Sequence, residues 1–164
     1  TASRCPRWPS SGGPEALAVA GEARGAFAPA DPGFEARTRE SFARQGAMAH
    51  LGAALGRVEP GVVEIALDFR PELSQQHGFF HAGIVATVAD SAGGYAAYTL
   101  FPAEAGVLTV EFKVNLMAPA DGDRIVATGR VLRAGRTLTA GRATHCATGL
   151  QTIMRITGRQ AVRG

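Results

Sequence analysis

The feature that most constrains this chain is a run of small residues built around a single carboxylate. Residues 82–100 contain no proline, are rich in alanine and glycine, and carry Asp90 near their middle. The run ends just before Pro102, so it predicts one helix of about five turns. Because glycine weakens a helix in water, so many small residues indicate that other backbone approaches this helix closely.

A membrane span is the competing interpretation of the same run. Asp90 argues against it, because a carboxylate at the centre of a span costs about 2.5–3.5 kcal/mol. The run also lacks the bulky aliphatic side chains of a typical span. We therefore expect a helix that packs against the rest of the protein, and no association with a membrane.

Hydrophobic periodicity supplies the elements around this helix. Residues 34–55 have the spacing of an amphipathic helix, and residues 63–69 alternate between apolar and polar side chains as a strand does. Residues 108–116 alternate without a break, which predicts a two-faced strand. Further strands are predicted at 124–133, 136–147 and 150–157, with a hairpin turn at Ala134–Gly135. The order predicts an α+β fold in which the last four strands form a meander, and one antiparallel sheet packs on the long helix.

Length and proline content divide the chain into a tail and one domain. The chain has 164 residues, and five of its nine prolines lie before residue 34. Residues 1–33 therefore predict a flexible tail, and residues 34–164 predict the folded domain.

Two features of the sequence bear on compartment and metal content. The tail lacks the charged start and apolar run of a secretory signal. The two cysteines, Cys5 and Cys146, lie too far apart for a disulfide framework or a metal-binding spacing. We expect a cytoplasmic protein with no bound metal.

Positive charge is concentrated at the end of the chain. From Arg124 onward there are eight arginines and no acidic residue, although the net charge of the whole chain is only +3. A solvated basic face, a phosphate-bearing small ligand and a nucleic acid are the three interpretations of this pattern. The same segment has no aromatic residue on which bases could stack. We therefore favour a phosphorylated small molecule and expect no nucleic acid partner.

Asp90 is the first candidate for chemistry. A carboxylate within an apolar helix is unfavourable unless it is paired or faces a cleft. It is either a structural residue bonded to neighbouring backbone or arginine, or a general base or nucleophile.

The polar loop ahead of the helix is the second candidate. Four polar side chains cluster there: Gln75, Gln76, His77 and His81. Free N–H groups at a helix N-terminus favour developing negative charge, so Ala82–Gly83 could open an oxyanion hole. The alternative is that His81 only caps or packs locally.

The two candidates are too far apart to act together within one chain. His81 and Asp90 are nine residues apart, which is roughly 13–14 Å along a helix. If both act on one carbonyl group, a second copy must bring its helix alongside. A catalytic role therefore predicts a homodimer with composite sites.

Three segments together resemble the PaaI-like acyl-CoA thioesterases of the hotdog fold. They are QQHGFFHAGIVATVADSAGGYAA, LTVEFKVNLMAPADGDRIVATGRV and LRAGRTLT, within residues 34–157. The resemblance implies an antiparallel sheet wrapped around a central helix and a homodimer, with the acyl-CoA substrate at the dimer interface. It also implies that dimers can pair into a dimer of dimers, and that neither metal nor cofactor is needed beyond the CoA of the substrate.

The resemblance also implies roles for individual residues. Asp90 matches the carboxylate that serves as nucleophile or general base, and Gln75 matches the amide that orients water or the thioester. His81 matches the histidine of a His-Gly-Gly motif, and the N–H of Ala82 matches the donor that polarises the thioester carbonyl. Thr109 is similar to a hydroxyl residue that some members use to hold water.

The residues expected to bind substrate lie at both ends of the motif region. Gly83 belongs to the helix opening, which reads His-Ala-Gly where the family has His-Gly-Gly. Arg133 and Arg136 flank the hairpin turn, where such enzymes often place basic residues against CoA phosphates.

The sequence therefore predicts hydrolysis of an aryl- or medium-chain acyl-CoA to free acid and CoA. Two other functions stay open. One is a hotdog hydratase or dehydratase that acts on acyl thioesters, and the other is a module that binds acyl-CoA without turnover.

Overall fold

The computed structural model describes residues 27–135, 138–143 and 146–157. Two short helices and a hairpin of two strands precede a long helix, and four strands follow it. The elements are α1 (Phe34–Ala43), α2 (Gly46–Leu51), β1 (Ala54–Glu59), β2 (Val62–Asp68), a 3-10 turn (Pro71–Leu73), α3 (Ala82–Tyr98), β3 (Gly106–Leu116), β4 (Arg124–Ala134), β5 (Leu138–Ala143) and β6 (Ala147–Ile156).

The strands form one antiparallel sheet in the order β1-β2-β4-β5-β6-β3. Helix α3 packs across this sheet, and its second half is buried. The predicted α+β fold, with an antiparallel sheet and a long central helix, is confirmed. The predicted helix began and ended within two residues of α3, because His81 and Pro102 limit it at the two ends.

The predicted meander of four strands is wrong at its first strand. β4, β5 and β6 are consecutive neighbours, but β3 lies at the far edge of the sheet beside β6. The connection of residues 117–123 crosses from that edge to β4. On its way it accepts hydrogen bonds from the N–H groups of Phe80 and Phe69, and its own N–H of Met117 donates to Cys146. The loop thus passes over the N-terminus of α3.

The single helix predicted over 34–55 is also wrong. Gln45 has an extended backbone and separates α1 from α2, and Gly52 ends α2 with a left-handed φ of 73°. Residues 54–59 then pair with β2 as a strand. Pairing with a neighbouring strand outweighs the weak helical periodicity at the end of this segment.

The close approach expected around the small residues of α3 occurs against β4. Gly129 lies directly under the helix, where a Cβ atom would overlap the main-chain carbonyl of Ala92. The side chains around this contact belong to one apolar core, which surrounds the second half of α3. Its most buried members are Met48, Val63, Ile65, Leu67, Val88, Ala92, Ala96, Ala97, Tyr98 and Ile153.

Strand β3 carries a bulge that the sequence pattern does not reveal. The register along β6 shifts by one residue between Thr109 and Glu111, so that Val110 is the extra residue. Thr109 lies opposite the buried Ile153 and shares its face of the sheet, although Thr109 itself is exposed. Its neighbours Leu108 and Val110 are 47% and 57% exposed. The uninterrupted alternation predicted for 108–116 is therefore wrong, because bulges re-aim the side chains beside them.

Helix α1 fixes the C-terminal end of α3. The guanidinium of Arg37 donates to the carbonyl oxygens of Tyr98 (3.3 Å) and Phe101 (2.8 Å), and stacks 4.1 Å from the centre of the Tyr98 ring. Arg37 also pairs with Asp31, and Phe27 packs against the core. The predicted division at residue 33 stays a prediction, and residues 1–26 lie outside the described part of the chain. No helix within the described residues is long and apolar enough to cross a membrane.

The contact at Gly129 yields a stability prediction. We expect Gly129→Ala to lower the free energy of unfolding by about 3 kcal/mol, because the new methyl group meets backbone that cannot rotate away. Gly46→Ala is the control, since a Cβ there meets nothing within 4 Å, and it should change stability by no more than about 1 kcal/mol. Chemical denaturation of the two variants measures both values. Equal stabilities would contradict the described packing of α3 on β4.

Candidate active site

The side chain of Asp90 is held on the sheet by two donors. Thr109 Oγ1 donates to Asp90 Oδ1 at 2.8 Å, and Gln151 Nε2 donates to the same oxygen at 2.9 Å. Gln151 Nε2 also reaches the main-chain carbonyl oxygen of Asp90 at 3.0 Å. Asp90 is therefore paired, as a carboxylate in this helix has to be, and its partners come from two neighbouring strands.

The two donors leave one carboxylate oxygen of Asp90 unused. Both bind Oδ1, and no hydrogen bond from a described residue reaches Oδ2. The side chain is only partly buried. Oδ2 can therefore accept a proton from water or attack an electrophile while Oδ1 keeps the group in place.

Gln151 is a site residue that sequence reasoning missed. The strand at 150–157 was predicted, but no role was given to its glutamine. The available signal was the alternation of the strand: Gln151 shares the face of Ile153 and is 5% exposed. A glutamine on the apolar face of a strand needs polar partners, and Asp90 supplies them.

The N-terminus of α3 forms a second cluster. His81 is the N-cap, and its Nδ1 accepts a hydrogen bond from the N–H of Gly83 at 3.0 Å. The N–H of Ala82 has no acceptor among the described residues. An unpaired N–H in the first turn, reinforced by the helix dipole, can donate to an oxyanion. His81 thus caps the helix and leaves one N–H group available beside it.

A cavity of about 470 Å³ opens at this N-terminus. Gln75 and Ala82 lie on its wall, and its other lining residues are mostly apolar: Phe79, Phe80, Val85, Leu116, Met117, Ala118, Pro119, Ala120 and Cys146. The side-chain oxygen Oε1 of Gln75 accepts from the N–H of His77, which leaves the side-chain NH2 group able to donate. Burial raises the pKa of the Cys146 thiol, so this cysteine is a neutral wall of the cavity and not a thiolate nucleophile.

One copy of the chain does not bring the two clusters together. Asp90 does not line the cavity that Gln75 and Ala82 share, and the separation of eight positions between Ala82 and Asp90 spans about 12 Å of helix. The structure therefore joins Asp90 to Thr109 and places Gln75 and Ala82 on one cavity, with His81 capping the helix beside Ala82, but it keeps the two groups apart.

The predicted substrate-binding residues lie on different elements. Gly83 is exposed in the first turn of α3, and Arg133 is exposed near the end of β4. Arg136 lies outside the described residues. Among those described, no three His, Cys, Asp or Glu side chains come together as a metal site would require.

Comparison with known proteins places this geometry in a family. A model of the thioesterase superfamily matches residues 77–146, which include α3 and strands β3 to β5. A crystal structure of a thioesterase family protein from Silicibacter pomeroyi is 48% identical, with a TM-score of 0.76. That match covers 77% of this chain and all of the other. The chain belongs to the thioesterase superfamily.

A more distant solved structure agrees on the fold of this thioesterase-superfamily chain, and a further relative matches part of its sequence. The Escherichia coli PaaI protein of the phenylacetic acid degradation operon has a TM-score of 0.68 at 17% identity, over 76% of this chain and 94% of that one. A Saccharolobus solfataricus protein named "Putative esterase" is 30% identical over 50% of this chain and 54% of its own length. This chain thus matches a little over half the length of that relative. The predicted hotdog fold and family are confirmed.

The free N–H at the helix opening can be tested by one substitution. Ala82→Pro removes that N–H at a first-turn position that accepts proline, and the extended backbone of His81 (ψ 135°) suits a residue before proline. We expect the variant to fold, and to lose about 100- to 1000-fold in the turnover of a thioester.

Ala82→Gly keeps the N–H group and is the matched control. It should retain turnover within about threefold, since the loss is assigned to the donor and not to the methyl group. Circular dichroism and thioester kinetics on both variants decide the question. Full turnover by a folded Ala82→Pro variant would remove this N–H from the active site.

Proposed function

We propose that this protein is an acyl-CoA thioesterase that hydrolyses its substrate to a carboxylic acid and free CoA. The observation that carries the proposal is the state of Asp90, which is held through Oδ1 with Oδ2 left open. A free helix N-terminal N–H beside an apolar cavity supplies the complementary group. Membership of the thioesterase superfamily supports the reaction class.

The reaction uses the chain's own groups. The N–H of Ala82 donates to the thioester carbonyl oxygen, and the amide of Gln75 orients the thioester or the attacking water. Asp90 Oδ2 either takes a proton from that water or itself attacks the carbonyl carbon. In the first route water adds to the carbonyl carbon, the C–S bond breaks, and the proton taken up by Asp90 passes to the CoA sulfur. In the second route the C–S bond breaks to leave an acyl anhydride on Asp90 and a CoA thiolate. Water then hydrolyses that anhydride to the free acid, which restores the carboxylate and supplies the proton of the thiol. We propose that no cofactor or metal takes part.

A homodimer would complete the site. Strand β3 is an eleven-residue edge strand whose outer side has no partner among the described strands. Long edge strands pair readily with a second copy, and the exposed Leu108 and Val110 would be covered by such pairing. Because Thr109 lies on this strand beside Asp90, the Asp90 of one protomer would face the cavity of its partner. Pairs of such dimers would give the larger assembly.

The substrate's two ends would bind in different surroundings. The apolar cavity suits an aryl or medium-length acyl group, with Phe79 and Met117 on its wall. Arg133 and Arg136 would bind the phosphates of CoA. We also propose a cytoplasmic location, which is consistent with an acyl-CoA substrate.

Asp90→Asn tests the reaction. Asparagine keeps Oδ1 as an acceptor for Thr109 and Gln151, so fold and oligomeric state should be unchanged. Turnover should fall at least about 100-fold, because an amide cannot take a proton or attack as a carboxylate does. The measurement is thiol release from a panel of aryl- and acyl-CoA esters, followed with a thiol reagent. Near wild-type turnover by the variant would remove Asp90 from the mechanism.

The same panel separates the other candidate functions. A hydratase or dehydratase would change the acyl group without releasing a thiol. A binding module would bind the esters with no turnover and tolerate Asp90→Ala. Either result with the wild-type protein would contradict the proposed hydrolysis.

A further inference from the structure

We propose that Gln151 is a positioning residue for the reactive carboxylate, and that Gly93 is glycine in order to admit it. The inference rests on the proposed function of Asp90. It goes beyond that function because it assigns a role to a residue pair on β6 and α3.

The amide nitrogen of Gln151 makes two hydrogen bonds to the same residue. Its Nε2 donates to the carboxylate and to the main-chain carbonyl of Asp90, so backbone and side chain of the same residue are held by one group. The residue is 5% exposed, and few alternative partners exist for a buried amide. Two acceptors on one nitrogen also fix which end of the amide points at Asp90.

Gly93 provides the space that this arrangement needs. A Cβ atom at Gly93 would overlap the amide oxygen and carbon of Gln151. The next residue gives a contrast, because a Cβ at Gly94 meets nothing within 4 Å. Glycine costs about 1 kcal/mol relative to alanine inside a helix. The side chain of Gln151, which crosses the helix at residue 93, therefore explains why that residue is glycine.

The arrangement determines which carboxylate oxygen reacts. Gln151 and Thr109 both donate to Oδ1, from the neighbouring strands β6 and β3. Two donors on one oxygen prevent rotation of the carboxylate and direct Oδ2 away from them. Thr109 can take its part only because the bulge at Val110 turns it toward the helix. Gln151 and Thr109 thus hold the carboxylate of Asp90 together. Gln151 acts on the reaction through Asp90 and does not contact the substrate.

Gln151→Met removes the donor and keeps a side chain of similar length and volume. We expect kcat to fall about 10- to 100-fold, as for loss of a hydrogen bond to a charged group. KM should stay within about threefold, because substrate binding does not involve Gln151. An unchanged kcat, or a loss confined to KM, would overturn the proposal.

The glycine gives a second test that does not depend on how methionine packs. Gly93→Ala should lower kcat about as much as Gln151→Ala does, because the methyl group displaces the amide. The double variant Gly93→Ala/Gln151→Ala should have the kcat of Gln151→Ala alone, since the methyl group then has nothing to displace. Gly94→Ala is the control, with turnover and melting temperature expected near those of the wild type.

Two outcomes would contradict the paired role of these residues. One is additive losses in the double variant, and the other is equal losses in Gly93→Ala and Gly94→Ala. Failure of the proposed function is distinguishable from both, because it is seen in the wild type as absence of thiol release from any ester.

Discussion

Helix α3 approaches the backbone of strand β4 closely at Gly129, and the position of the helix on the sheet depends on that contact. Gly129 brings β4 under the carbonyl of Ala92, and Gly93 lets the amide of Gln151 cross the helix surface. Asp90 precedes Ala92 by two residues and lies within hydrogen-bond distance of donors on β3 and β6. The small residues that weaken the helix in isolation are thus the ones that bring its carboxylate to Thr109 and Gln151.

The sequence predicted what depends on local pattern. A proline-free apolar run gave α3, and its one carboxylate, Asp90, could be singled out because a charge there needs a partner. The α+β class followed from periodicity, and the loop residues Gln75 and His81 from their place ahead of the helix. These features need no knowledge of which strands are neighbours.

What depends on strand pairing could not be predicted in the same way. β3 lies beside β6 because residues 117–123 cross over the helix end, and sequence adjacency suggests β4 instead. The alternating sequence of β3 gives no sign of the bulge at Val110. The face of the sheet on which Thr109 lies could therefore not be predicted. Gln151 reaches Asp90 across 61 residues of chain, and no local signal connects the two. The roles of all these residues in catalysis stay predictions.

The distance between the carboxylate of Asp90 and the N-terminus of α3 has a chemical consequence. The helix dipole makes the N-terminus of α3 suited to negative charge, whereas the carboxylate of Asp90 is itself negative. If the carboxylate of Asp90 lay beside the helix N-terminus of its own chain, it would accept the hydrogen bond of the Ala82 N–H. That N–H would then not be available to a substrate. A distance of about 12 Å along the helix prevents that self-pairing. Under the proposed mechanism, a complete site therefore takes one of its two groups from a second protomer.

The composite site is tested most directly by heterodimers of two defective chains. Asp90→Asn and Ala82→Pro chains with different affinity tags are co-expressed, and dimers that carry both tags are purified. If each site takes Asp90 from one protomer and Ala82 from the other, the heterodimer contains one intact site and one doubly defective site. Its activity should then be about half that of the wild-type dimer. If each site lies within one chain, both sites are defective, and activity no higher than that of the two variant homodimers would contradict the account.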